Sequence, residues 1–252
     1  MCGRFALIHS PEDLSDAFAV ETIDAFPPRY NIPPTQPVLV VAKDIDAQAS
    51  ASNRPDRFIR LMRWGFIPGW VKDPDDFPLI INARSETAAT KASFRAAMRH
   101  RRAILPASGF YEWKRDSENK TSQPYWVSRP GGEIVGFAAL YETWAGKDGS
   151  EIDTVAILTT EATGAFADIH HRIPVVIDGD EAQREWLNCR ENEPRDVAHL
   201  LSAPRDDFFK ARPVSKQVNS VINDNAELQV EVALKAADEG DEETTSDQLA
   251  LF

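Results

Sequence analysis

Gly109-Phe110-Tyr111-Glu112-Trp113-Lys114 sets aromatic side chains around a single carboxylate, directly after a glycine. A short aromatic run bounded by glycine predicts a β-strand. Alternation along that strand puts Glu112 on the face opposite Tyr111 and Trp113, so the pattern alone reads it as an exposed position on a half-buried strand. Working outward, the same signals recur at residues 3–7, 38–42, 58–64, 103–106, 125–128, 134–141, 153–159, 174–177 and 208–212. Each run is rich in β-branched or aromatic residues and is bounded by Pro, Gly, Asn or Asp. Helix signals are fewer. Ser10 as N-cap with Pro11 at the first helical position predicts a helix over 11–19, and others fall within 86–101, at 179–188 and at 195–202. Strands outnumber helices and never alternate with them regularly. The class is therefore α+β: a single compact domain whose largely antiparallel sheet is flanked by short helices.

Composition narrows the setting. The chain has 252 residues, 42% of them hydrophobic, enough for one large domain with a substantial core. No apolar run approaches the ~20 residues of a membrane span, so no membrane partner is expected. Arg4 is followed by Phe-Ala-Leu-Ile and then polar residues, which is not a signal peptide. Cys2 and Cys189 are the only cysteines, too few for a disulfide framework or a cysteine-rich zinc site. The expectation is a monomer without metal or cofactor in a reducing, cytoplasmic setting. The net charge is −12, and half of it lies in residues 231–252, where seven carboxylates face Lys235 alone. Any nucleic-acid surface must then be a local basic patch on an acidic body. Domain 2–230 is followed by a segment, 231–252, expected to be an acidic disordered tail; residues 47–56 read as a polar loop.

Cys2 carries the sharpest chemistry. Removal of Met1 would leave a free α-amine, titrating near ~8, beside a thiol near ~8.5, both partly nucleophilic at neutral pH. Such a 1,2-aminothiol condenses with an aldehyde through an imine to a five-membered thiazolidine. The competing reading makes Cys2 a small buried hydrophobe at the start of a strand. Four further segments hold residues unusual for their context: Arg29-Tyr30-Asn31-Ile32-Pro33-Pro34; Arg63-Trp64-Gly65-Phe66-Ile67-Pro68-Gly69-Trp70, leading to Ile81-Asn82-Ala83-Arg84-Ser85-Glu86-Thr87; the Glu112 strand; and Ile169-His170-His171-Arg172-Ile173-Pro174.

In this order after Met-Cys-Gly-Arg-Phe, the segments resemble the SRAP family (SOS response-associated peptidase, or abasic-site processing, proteins) from Cys2 to about residue 228. Pro213-Val214-Ser215 and Val218-Asn219-Ser220-Val221 through Asn223-Asp224 resemble its closing motif. The resemblance implies a barrel-like sheet, recognition of abasic sites in single-stranded DNA and covalent capture through Cys2. It implies Glu112 as general acid/base, His170 as the group assisting ring opening, and Asn82 as the residue positioning the sugar or the new linkage. Arg4, Arg84 and Arg172 become phosphate ligands, Trp70 a stacking platform and Pro34 a wedge at a strand–duplex junction. Some members carry a second Trp after the Trp70 equivalent; here Val71 stands in its place.

Each residue also has a plainer reading. Asn82 suits a helix N-terminal region ahead of Ser85 and Glu86, His170 a loop, and Arg84 and Arg172 ordinary surface charges. Three other functions compete: a class II amidotransferase, disfavoured because Arg4 follows Cys-Gly and no His-Arg-Gly-Pro-Asp stretch exists; a cysteine peptidase pairing Cys2 with His170; and a passive single-strand-binding module. Finally, Gln248-Leu249-Ala250-Leu251-Phe252 resembles the Gln-Leu-x-Leu-Phe motif of bacterial sliding-clamp partners, which implies clamp contacts by Gln248, Leu249, Leu251 and Phe252.

Overall fold

Pairing between strands far apart in sequence organises the chain, described by a computed structural model over residues 2–21, 24–43, 56–116 and 121–234. In chain order, β1 (Arg4–Leu7) leads through α1 (Pro11–Phe18) to β2 (Arg29–Ile32), β3 (Pro37–Lys43) and β4 (Arg57–Trp64). The short β5 (Asn82–Arg84) runs into α2 (Ser85–Ala88), followed by α3 (Arg95–His100) and β6 (Arg102–Ala107). Then come β7 (Gly109–Asp116), β8 (Thr121–Ser128), β9 (Val135–Ala145), β10 (Glu151–Glu161), β11 (Arg172–Pro174), α4 (Asp180–Leu187) and β12 (Lys210–Pro213).

Antiparallel pairings link β4 to β3, β3 to β6, β6 to β9 and β9 to β10. β10 then meets β4 in parallel, Thr154 opposite Arg63 and Val155 opposite Trp64, closing a five-stranded ring. The second sheet is antiparallel throughout, in the order β12-β8-β7-β1-β2. The fold is thus the expected α+β domain with a barrel-like, largely antiparallel sheet and few helices.

Strands β3, β6, β9 and β10 of the ring are buried on both faces over much of their length, whereas β4 exposes Arg60 and Leu61. Val40, Leu105, Phe137, Val155 and Ile157 join a core with Phe5, Ile32, Phe110 and Val127 of the second sheet. Their neighbours Val41, Ile104, Ala138, Ala156 and Leu158 pack with Phe18 of α1, Met98 of α3 and Trp186 of α4. Covered on two sides, these strands read as near-continuous apolar runs. Helix α1 begins as its sequence predicts. Ser10 Oγ accepts the Asp13 backbone N–H at 3.2 Å and the Asp13 carboxylate accepts that of Ser10 at 2.9 Å, while Ala19 ends the helix at a positive φ of 50°.

Several boundaries differ from expectation. The 86–101 helix divides into α2 and α3, separated by a stretch that includes Thr90 and Ser93. At 195–202 only one turn of 3-10 helix forms, Ala198–Leu201. Strands β2 and β5 lack a periodic signal because neighbours impose them. β5 is held parallel to β10, Leu158 opposite Ala83, and the buried Trp64 indole donates to the Ile81 carbonyl just before it at 3.0 Å. Residues 47–55 and the stretch from 235 onward, including most of the expected tail and the Gln248–Phe252 motif, lie outside the described residues. Glu231, however, bridges to Val214 and the Val232 N–H donates to the Pro213 carbonyl at 2.9 Å, so ordered pairing runs past the expected boundary at 230. Among the described residues no helix is long and apolar enough to cross a membrane.

Candidate active site

The β1–β7 register sets Arg4 opposite Tyr111 and Phe5 opposite Phe110, which carries Cys2 alongside the Glu112–Trp113 end of β7. Cys2 is fully buried. Its carbonyl accepts the Asn82 side-chain amide at 2.8 Å, and its Sγ lies 3.9 Å from the Arg4 carbonyl. Glu112 Oε1 accepts the Trp113 backbone N–H at 3.3 Å, while Oε2 lies 4.0 Å from His170 Nδ1. Strand β10 makes this convergence possible, pairing with both β5 and β11 and so bringing Asn82 and the His170 turn to one end of the ring.

Glu112 corrects the pattern-based expectation of exposure, being only 4% exposed. Both faces of β7 are covered: Tyr111 packs with Val214, Val218 and Leu228 on one side, and Glu112 turns toward Cys2 and His170 on the other. Alternation reports which residues share a face, not whether that face is open.

Burial also alters the titration expected of Cys2. With Met1 attached its nitrogen is an amide, and desolvation pushes the thiol far above its ordinary value, reinforced by the negative charge of Glu112. A thiolate at this site therefore needs a base to take the proton. Desolvation pushes His170 the other way, below the ordinary imidazole value, against an opposing pull from Glu112. The Arg172 backbone N–H points at His170 Nδ1 from 3.0 Å. An amide can only donate, so Nδ1 accepts and the neutral ring carries its proton on Nε2. His171 stacks on the same ring, centroids 4.3 Å apart, with its own side chain exposed. Among the described residues no group of three or more His, Cys, Asp or Glu side chains could hold a metal.

The other predicted residues divide into outward and inward groups. Arg84 is exposed at the start of α2 and lines a groove of about 690 Å³ with Leu79, Asn82, Thr87 and Lys91. Trp70 is 60% exposed and meets Phe77 edge-on at 5.6 Å, while Val71 is buried against Ile67 and Trp144. Pro34 is half-buried in a turn that Thr35 completes at a φ of 72°, its N–H donating to the Trp64 carbonyl at 2.7 Å.

Two arginines point inward. Arg4 Nη1 donates to Asn31 Oδ1 at 2.7 Å and to the Val218 carbonyl at 3.0 Å. Arg172 is buried and forks onto Glu86, Nη1 to Oε1 at 2.7 Å and Nη2 to Oε2 at 2.9 Å, with Nη2 also donating to the Thr159 carbonyl. Asn31, Glu86 and Lys91 acquire roles that no local pattern marks. The Asn31 amide reaches the Asn223 carbonyl, 192 positions away, at 2.7 Å.

Fold and site together define an α+β protein whose candidate nucleophile, Cys2, is held by the Asn82 amide beside the Glu112 carboxylate, which the His170 imidazole approaches in turn. The sequence profile of the SOS response associated peptidase (SRAP) family matches residues 1–221, and the chain belongs to that family. It is 36% identical over 231 residues to the abasic site processing protein YoqW of Bacillus subtilis, covering 90% of this chain and 98% of that one. It is 35% identical over 239 residues to the abasic site processing protein YedK of Escherichia coli, covering 90% and 98%. Among solved structures, a protein from Bacteroides thetaiotaomicron superposes with a TM-score of 0.77 at 21% identity, over 92% of this chain and 100% of its own.

Proposed function

We propose that this protein recognises abasic sites in single-stranded DNA and captures them covalently through Cys2 once Met1 has been removed. The observation that carries this reading is the convergence of Asn82, Glu112 and His170, from three distant segments, around the second residue. The relatives named as abasic site processing proteins supply the substrate class.

The chemistry balances with these groups alone. Removal of Met1 leaves an α-amine and a thiol on neighbouring carbons. The ring-opened abasic sugar offers an aldehyde at C1′; the amine adds to it, water leaves, and an imine remains. The thiol then adds to the same carbon and its proton passes to the nitrogen, so C1′ ends bonded to both N and S with one water released. Glu112 takes protons from the incoming nucleophile and returns one to the departing hydroxyl. Neutral His170, with its hydrogen on Nε2, donates toward the sugar oxygen as the ring opens. Asn82, holding the Cys2 carbonyl, fixes where the amine stands.

The groove beside Asn82 takes the adjoining strand, with Arg84 and Lys91 at its rim as phosphate ligands. Trp70 offers an exposed face for a base, and Pro34 lies at the turn beside the end of β4. Arg4 and Arg172, engaged inside the protein, support this surface from behind.

The deciding experiment incubates the protein with single-stranded DNA bearing one abasic site, followed by a denaturing gel and intact mass. The expected adduct weighs the protein without Met1 plus the DNA minus one water. Cys2→Ala should give no stable adduct, and Cys2→Ser a weaker, more labile one. Equal and equally stable crosslinking by wild type and Cys2→Ala would overturn the proposal.

A further inference from the structure

We infer that Glu86 is a positioning residue for His170, acting through Arg172; only the kinetic half of this inference rests on the abasic-capture reading. Glu86 lies on α2, just after the strand that carries Asn82, and its carboxylate is partly open to solvent. Both its oxygens are taken by the Arg172 guanidinium in the two-armed geometry that fixes a planar fork most firmly. The same guanidinium donates to the Thr159 carbonyl of β10. Three elements, α2, β10 and β11, are thereby tied at one side chain.

The tie reaches the imidazole through the backbone of Arg172 itself. Its N–H supplies the hydrogen bond to His170 Nδ1, and its carbonyl oxygen lies 3.2 Å from that same nitrogen. A neutral ring accepts from the N–H. A ring that has picked up a proton donates from Nδ1 to the adjacent carbonyl, with Glu112 4.0 Å away on the same edge. A protonated Nδ1 would meet the Arg172 N–H as well as the carbonyl, so where the ring carries its proton depends on where the Arg172 backbone is held. Glu86 holds it. In this arrangement the Arg172 side chain braces His170, with both of its Nη groups engaged.

The test uses the full chain with Glu86→Ala, Glu86→Gln and Arg172→Lys, each checked for folding by thermal melting. Nitrogen-15 NMR of the histidine rings in DNA-free protein reads the tautomer directly. Wild type should show His170 protonated on Nε2. Glu86→Ala should show a mixture, and Glu86→Gln, which keeps one oxygen acceptor, should fall between. In single-turnover crosslinking, Glu86→Ala and Arg172→Lys should lower the rate at saturating DNA roughly 10- to 100-fold, the scale of a slightly misplaced catalytic group, with unchanged half-saturation. An unchanged tautomer in folded Glu86→Ala and Glu86→Gln overturns the inference. So does a raised half-saturation with an intact maximal rate, which would make Glu86 part of DNA binding. If wild type itself forms no adduct, the abasic-capture reading falls, and the tautomer alone judges Glu86.

Discussion

Cys2, Glu112 and His170, the groups proposed to move protons, sit under opposing electrostatic demands. Burial and the Glu112 carboxylate disfavour a thiolate, while burial of His170 disfavours an imidazolium. The resting site therefore stores its proton on sulfur and leaves the ring neutral. Glu112→Gln and His170→Ala should each slow adduct formation by roughly 10²–10⁴, the usual worth of a general acid or base, at unchanged single-strand affinity. Binding isotherms beside single-turnover rates separate the two quantities. The pH profile gives an independent check. A depressed His170 titration keeps the ring neutral below the ordinary imidazole value of about 6.5, so its acid limb should lie beneath that pH, apart from the fall near ~8 where the attacking α-amine is protonated. His170→Ala should lose that acid limb; a limb that survives the substitution belongs to another group.

At the scale of elements, strands were legible where their own side chains demanded burial. The alternating β7 and the apolar runs of β6, β9 and β10 announce themselves. Three-residue β5 does not, because β10 and the Trp64 indole impose its conformation. The site divides in the same way. Cys2, Asn82, Glu112 and His170 were readable as residue types in ordered motifs. The inward turn of Arg172 was not, since it depends on Glu86, 86 positions away. Asn31 shows the cost of such distant dependence. Its amide serves the carbonyls of Ser220 at 3.0 Å and Asn223 at 2.7 Å, and its oxygen holds Arg4. Asn31→Ala should destabilise the protein by about 1–3 kcal/mol, the range for leaving buried polar groups unsatisfied. Thermal melting reads that loss, and limited proteolysis should place the first new cleavages near residues 214–224.

The whole molecule is acidic, with a net charge of −12, yet a nucleic-acid reading asks it to hold phosphates. The groove at Arg84 and Lys91 reconciles the two, because backbone neutralisation depends on local rather than total charge. Removing either cation should lower the slope of log affinity against log salt by about 0.7, the single-strand value per phosphate contact. Titrations at several salt concentrations measure it, and an unchanged slope in both variants would place the strand elsewhere. The clasp that joins the two ends of the domain has a further consequence, in time. Arg4 and Asn31, near the start, are held by carbonyls of Val218, Ser220 and Asn223, near the end. A growing polypeptide still on the ribosome has already exposed its second residue to the enzymes that trim methionine, but has not yet synthesised the segment that seats Arg4. Under the proposed capture, the end that carries Cys2 is thus born before the clasp that seats it.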